Sequence, residues 1–140
     1  MTIYTIGFSG KKQDQFMGVI NAANISRLID VRLWRVARFM PWASGANLQA
    51  ALGGKYVAMP ELAPTKELLT AYKDGAIDWA GYEQIFNGLT SDRQIEKLFV
   101  PDELNGACFL CAEKTSDKCH RRLIAEYLSA HFPNTEIVHL

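Results

Sequence analysis

Cys111-Ala112-Glu113, five further residues and then Cys119-His120-Arg121 gather two thiols, a carboxylate, an imidazole and a guanidinium within eleven positions. Such groups can supply a nucleophile, a proton-transfer pair, metal ligands or an anion clamp. Asp117 is the expected N-cap of the helix that follows, which puts Cys119, His120 and Arg121 in its first turn. There Cys119 would feel the helix dipole and the charges of Lys118 and Arg121, all of which favour the thiolate. Cys119 is therefore a nucleophile or redox candidate, weighed against an inert thiol packed under the preceding loop. The Cys108-x-x-Cys111 spacing suggests zinc, but on a strand an odd separation points the two thiols to opposite faces. Cys108 is accordingly read as a small buried hydrophobe. A set of Cys111, Cys119 and His120 with a carboxylate is the remaining metal alternative. The expectation is no metal and no cofactor.

Two further groups could join these residues. Asp30 and Glu113 stand at the ends of two strands expected to be neighbours, where one carboxylate could activate water while Arg32 or Arg121 holds an anion. The catalytic candidates are thus Asp30, Glu113, Cys119 and His120, and the ligand-binding candidates are Gly7, Ser9, Arg32, Cys111 and Arg121. Ion pairs of Asp30 with Arg121, or of Glu113 with Arg32, would instead make the rim a structural network. The Gly7-x-x-Gly10 turn could cradle a phosphate, or be only a tight strand-to-helix turn. A loop carrying Trp34, Arg35 and Arg38, with Phe39 and Trp42, pairs aromatic rings with cations. That combination suits single-stranded nucleic acid, and equally rings capping the core with arginines reaching into water.

Those groups need elements to hold them. Apolar alternation and runs predict strands over 3–6, 27–32, 56–58, 106–111 and 136–139. Helical spacing predicts helices over 13–23, 47–52 and 119–131, and helix over 65–100 with interruptions near Gly75 and Gly88. Strands alternating with helices imply a three-layer, Rossmann-like α/β fold: one domain over 1–140 with a mainly parallel sheet of about five strands. In such sheets ligands bind beyond the carboxyl ends of the strands, where all the candidates above would arrive.

Composition agrees with a globular chain: 49% of residues are hydrophobic and 21% charged. The formal net charge is zero, which disfavours an overall basic nucleic-acid binder but leaves room for a local basic face. Residues 1–60 carry seven Lys/Arg against Asp14 and Asp30, whereas 61–105 carry four against nine Asp/Glu. No apolar stretch approaches the roughly 18 residues of a membrane span, and the first residues do not resemble a signal peptide. Three cysteines, two in an expected core strand, do not form a secreted disulfide framework, so a reducing cytoplasm is the expected location.

Tyr4-Thr5-Ile6-Gly7, Asp30-Val31-Arg32, Pro60-Glu61-Leu62 and the Cys-Ala-Glu and Cys-His-Arg elements together resemble the "domain of unknown function 488" family. The resemblance spans nearly the whole chain and implies a small α/β domain without implying a reaction. Two departures stand out. Phe8 occupies the position after the first-strand Gly where members usually carry His, and Leu33-Trp34-Arg35 replaces a Pro-x-Ser element found in many of them. The function expected is a strand-end pocket for a small anionic, nucleotide-like or nucleic-acid ligand, acted on by a hydrolase or transferase. A non-catalytic nucleotide- or nucleic-acid-binding module is the alternative, and a thiol redox or metal-binding protein the third.

Overall fold

The computed structural model describes residues 1–140. In chain order it runs β1 (Thr2–Gly7), α1 (Gln13–Ala22), β2 (Arg27–Asp30), α2 (Gly45–Leu52), β3 (Tyr56–Ala58), α3 (Lys66–Lys73), α4 (Trp79–Arg93), α5 (Pro101–Leu104), β4 (Ala107–Cys111), α6 (His120–His131) and β5 (Glu136–His139). The five strands form one sheet in the order β3-β2-β4-β1-β5, and every pair is parallel. This is the three-layer α/β arrangement that the strand–helix alternation predicts. No helix is long and apolar enough to cross a membrane.

Strand β4 lies at the centre and is buried at every position. Its side chains alternate between two cores, as a two-residue period requires. Cys108 and Leu110 join Phe16 and Ile20 of α1 and Leu48 of α2. Phe109 and Cys111 join Tyr82 and Phe86 of α4 and Leu123, Ile124 and Leu128 of α6. Cys108 and Cys111 therefore face opposite sides of the sheet, as their spacing predicts. The same alternation has a consequence for function. The chain leaves β1 and β2 toward the α1–α2 face but leaves β4 toward the opposite face. The direction of the crossovers therefore switches on both sides of β4, the kind of place where such sheets bind ligands.

Helix ends follow local chemistry. The Asp78 carboxylate accepts from the Gly81 N–H at 2.8 Å and Thr65 Oγ1 from the Leu68 N–H at 3.1 Å, satisfying orphan donors of α4 and α3. The break expected near Gly75 is present, with Gly75 at φ 77°. The break expected near Gly88 is absent, because α4 continues to Arg93 with Tyr82, Phe86 and Thr90 buried along one face. Tertiary burial of that face overrides the roughly 1 kcal/mol that an interior glycine costs. A second correction concerns α6. Its first residue is His120 and its N-cap is Cys119, in an extended conformation, rather than Asp117. Residues 116–119 form a turn closed by the Cys119 N–H on the Ser116 carbonyl. The Asp117 carbonyl accepts from the Arg122 guanidinium. Strand β2 also stops at Asp30, although the Val31 N–H still reaches the Leu110 carbonyl.

Candidate functional site

Beyond the ends of β2 and β4 lies a cavity of about 220 Å³. Its floor is Cys111 from the end of β4, Cys119 from the cap of α6 and His120 from the first turn. The reactive atoms of these three buried residues all lie within 4.8 Å of one another. His120 is oriented from below. Its Nε2 sits 2.7 Å from the Val31 carbonyl oxygen, and since a carbonyl only accepts, Nε2 carries a hydrogen. The lone pair of the neutral ring is therefore on Nδ1, which lies 3.7 Å from Cys111 Sγ. Phe86 packs against the imidazole at 5.4 Å between centroids and fixes its plane.

The two thiols are electrostatically unlike. The neighbouring Cys119 thiol lowers the Cys111 pKa against the effect of burial, helped by backbone N–H groups of Ala112 and Glu113 and by the Arg121 charge. The same interaction, together with burial, raises Cys119 far above the usual thiol range. Of the two, Cys111 is the sulfur whose thiolate form is favoured. Cys108, on the other face, is raised by burial alone and is inert.

The walls are aromatic. Trp79 and Tyr82 stack at 4.8 Å and 17°, and Tyr72 meets both at 5.6 and 5.3 Å. Across from them Trp34 is 50% exposed, with Lys73 Nζ 5.3 Å from its ring centroid. Arg32, Lys73 and Lys118 bring positive charge to the cavity, against the single carboxylate of Glu113.

Arg32 is the most strongly held of these cations. Its Nε and Nη2 donate to the two oxygens of Asp30 at 2.9 and 2.7 Å, and Nη2 also reaches the Ala43 carbonyl. Asp30 additionally accepts from the Tyr56 hydroxyl at 2.6 Å and the Arg32 backbone N–H at 3.1 Å. Burial and that bond to Asp30 hold the Tyr56 phenol protonated, well above its usual pKa. The Phe8 ring lies under the guanidinium, 5.1 Å from centroid to Cζ. Phe8 thus supports Arg32 through its π-face. Arg32 Nη1 has no protein partner, yet no buried side-chain nitrogen or oxygen is left unbonded. Nη1 therefore keeps access to solvent.

Of the sequence-predicted residues, the cavity collects Arg32, Trp34, Cys111, Glu113, Cys119 and His120. It does not collect Asp30, whose lone pairs are occupied as above and whose side chain points to the α1–α2 face with Tyr56. The expected pairing of Asp30 with Arg121 is replaced by Asp30 with Arg32, because Arg32 is two residues along the same strand end. Arg121 is 1% exposed and donates from Nη1 to the Glu113 carbonyl at 2.7 Å and from Nε to Thr5 Oγ1 at 3.3 Å. It ties β1 to the loop after β4. Gly7 serves the same joint: a Cβ there would stand 1.6 Å from the Glu113 oxygen. The Ser9 N–H donates to the Ala112 carbonyl at 3.0 Å. Arg35 and Arg38 lie outside the cavity, with Arg38 exposed. Trp34 and Phe39 do not cap the core; Phe39 is 92% exposed.

Sequence reasoning missed Tyr72, Lys73, Trp79 and Tyr82. The available signal was three aromatics flanking the Gly75 helix break, but nothing local says which sheet edge that break approaches.

Residues 12–128 match the model of a protein family described as domain of unknown function DUF488. No curated protein and no solved structure matches the chain.

Proposed function

The chain belongs to the DUF488 family, and from its site we propose an enzyme that holds a flat, anionic, nucleotide-like ligand at the strand ends and carries out hydrolysis or group transfer on it. One observation carries this reading. A single cavity combines aromatic walls, cations and a floor of two thiols and an imidazole. Aromatic faces take any planar heterocycle, each stacking contact contributing about 1–3 kcal/mol. Arg32, Lys73 and Lys118 suit a phosphate or carboxylate, Arg32 with a directed N–H and the lysines as point charges. At about 220 Å³ the cavity is smaller than the roughly 300–1,000 Å³ of pockets for drug-sized ligands. That size favours one nucleoside or nucleotide over a dinucleotide.

Within this reading the residues divide the work. Trp34, Tyr72 and Trp79 orient the ring. Asp30, Tyr56 and Phe8 act through Arg32, which they hold in one rotamer, and are positioning residues. In the metal-free protein His120 Nδ1 and Cys111 Sγ are the pair able to pass a proton or offer a nucleophile, with Cys119 beside them and Glu113 as the carboxylate of the cavity. Localisation in the cytoplasm, where these thiols stay reduced, fits the same reading.

The test is tryptophan fluorescence during titration with purine and pyrimidine nucleosides and their 5′-monophosphates. Two of the three tryptophans, Trp34 and Trp79, line the cavity. A saturable change is expected, tighter for the monophosphates. Trp34→Ala should weaken binding roughly tenfold, the lower half of the range for a lost stack. No saturable change with any of these probes would overturn the reading.

A second reading has its own observation. Trp34, Val36, Arg38 and Phe39 form an exposed apolar and basic stretch, Val36 being 82% exposed. If that stretch grips single-stranded nucleic acid, oligonucleotides should bind better than mononucleotides and the affinity should fall steeply with salt. Trp34→Ala and Arg35→Ala would then each weaken binding, while Asp30→Asn would change it little.

A further inference from the structure

The floor of the cavity has the geometry of a metal centre, and we propose that Cys111 Sγ, Cys119 Sγ and His120 Nδ1 together bind one zinc-class divalent cation, leaving its fourth position open to the cavity. Tetrahedral zinc with Zn–S near 2.3 Å and Zn–N near 2.0–2.1 Å places sulfur and nitrogen ligands about 3.6 Å apart and two sulfurs about 3.8 Å apart. Cys111 Sγ and His120 Nδ1 are 3.7 Å apart, and the whole set spans no more than 4.8 Å. No pair in the set would need to close by more than about 1 Å to reach tetrahedral separations.

The surroundings match as well as the distances. A ligating histidine almost always donates its other ring N–H to a carbonyl or carboxylate, which fixes the tautomer that ligates. His120 does so to the Val31 carbonyl at 2.7 Å, leaving Nδ1 and not Nε2 toward the sulfurs. Two buried thiolates and a divalent cation sum to zero charge, so the site needs no further counter-ion. No carboxylate belongs to the set: Asp30 is bonded to Arg32 and Tyr56. All three ligands line the cavity, so the missing fourth ligand would come from the cavity side. Three protein ligands with an open position is the pattern of catalytic rather than structural zinc. Such a cation would supply Lewis-acid chemistry to whatever group the walls present. The site is argued from its own geometry, and only the use of its open position rests on the pocket reading above.

Chelator-treated, reduced protein is titrated with Co2+ in the absence of any nucleotide. The expected result is one Co2+ per chain, with tetrahedral ligand-field bands and a sulfur-to-cobalt charge-transfer band, both displaced by Zn2+. Cys111→Ala and Cys119→Ala should abolish the charge-transfer band or weaken Co2+ binding at least tenfold, and His120→Gln should do the same. Cys108→Ala, whose thiol is on the other face of the sheet, should bind as the wild type does. Because the ligand variants remove buried groups, a second measurement uses the wild type alone. Zn2+ should raise its melting temperature by mass action and a chelator should reverse the rise. Absence of a sulfur-to-cobalt band in folded, reduced wild type would overturn the proposal. So would a melting temperature indifferent to Zn2+, or a band and a Co2+ affinity both left unchanged by Cys119→Ala. Nucleoside binding measured in chelator is a separate readout, so failure of the metal site and failure of the pocket are told apart.

Discussion

At the scale of single residues, the site depends on one buried ion pair. Asp30 and Arg32 are both inside the protein, and every lone pair of the carboxylate that faces the protein is used. Removing one partner of such a pair costs about 3–5 kcal/mol, since the other charge is left uncompensated. Asp30→Ala should therefore lower unfolding free energy by that order in urea denaturation, and a loss below about 1 kcal/mol would contradict the assignment. Tyr56→Phe removes one bond to a charged group and should cost about 1.5–3 kcal/mol in the same assay. Trp34 behaves oppositely. Half of it is in water, so Trp34→Ala should leave stability within roughly 0.5 kcal/mol of wild type, as surface substitutions do. Its effect belongs to ligand binding. Measuring both quantities on these variants separates residues that build the site from those that touch the ligand.

At the scale of elements, the decisive joint is where β1 passes under the loop after β4. Arg121, the Ser9 N–H and the bare Cα of Gly7 all meet the backbone of Ala112 or Glu113 there. A methyl group at position 7 would overlap the Glu113 carbonyl at 1.6 Å, so the loop that carries the cavity lip must move. Gly7→Ala should lower the melting temperature clearly and also weaken ligand binding, although Gly7 touches no ligand. Gly88 is the counter-example. It is exposed within α4, and a Cβ there would meet nothing within 4 Å outside the helix's own backbone, so Gly88→Ala should stabilise by about 0.5–1 kcal/mol in chemical denaturation. A neutral or destabilising result would mean that α4 is not a continuous helix there.

At the scale of the whole molecule, both ends of the chain meet on one edge of the sheet, because β5 pairs with β1. His139 of β5 joins a bonded chain there. Arg121 Nε donates to Thr5 Oγ1, and the same hydroxyl lies 2.6 Å from His139 Nδ1. Burial and the Arg121 charge lower the His139 pKa, Arg122 adds to this, and Glu126 and Asp117 oppose it. A histidine with a lowered folded-state pKa binds its proton more readily when unfolded. Its contribution to stability is thus complete above the unfolded value of about 6.5 and is lost as pH falls through the lower folded value. Urea midpoints should fall between pH 7.5 and pH 5, and His139→Gln should flatten that slope. An unchanged slope would assign the pH dependence to other groups.

Much of this protein was legible in the chain alone. Period-two and helical spacing gave the strands and most helices because each element buries one face, and burial leaves a local signature in the order of residues. The odd spacing of Cys108 and Cys111 placed them on opposite faces without coordinates, since strand geometry fixes that alternation. The Cys-Ala-Glu and Cys-His-Arg elements marked the strand end and helix start that build the cavity floor. Tertiary structure decided the rest, for reasons of distance. Asp30 was assigned to the site from its place at a strand end, but its neighbours Arg32 and Tyr56 claim all of its bonding capacity. Arg121 sits one residue from His120 yet points toward β1, because successive side chains on a helix leave its axis in different directions. The aromatic wall of Tyr72, Trp79 and Tyr82 lies about thirty to fifty residues from the thiols it faces. Only the packing of α3 and α4 beside the carboxyl end of β4 could bring those rings to the chemistry.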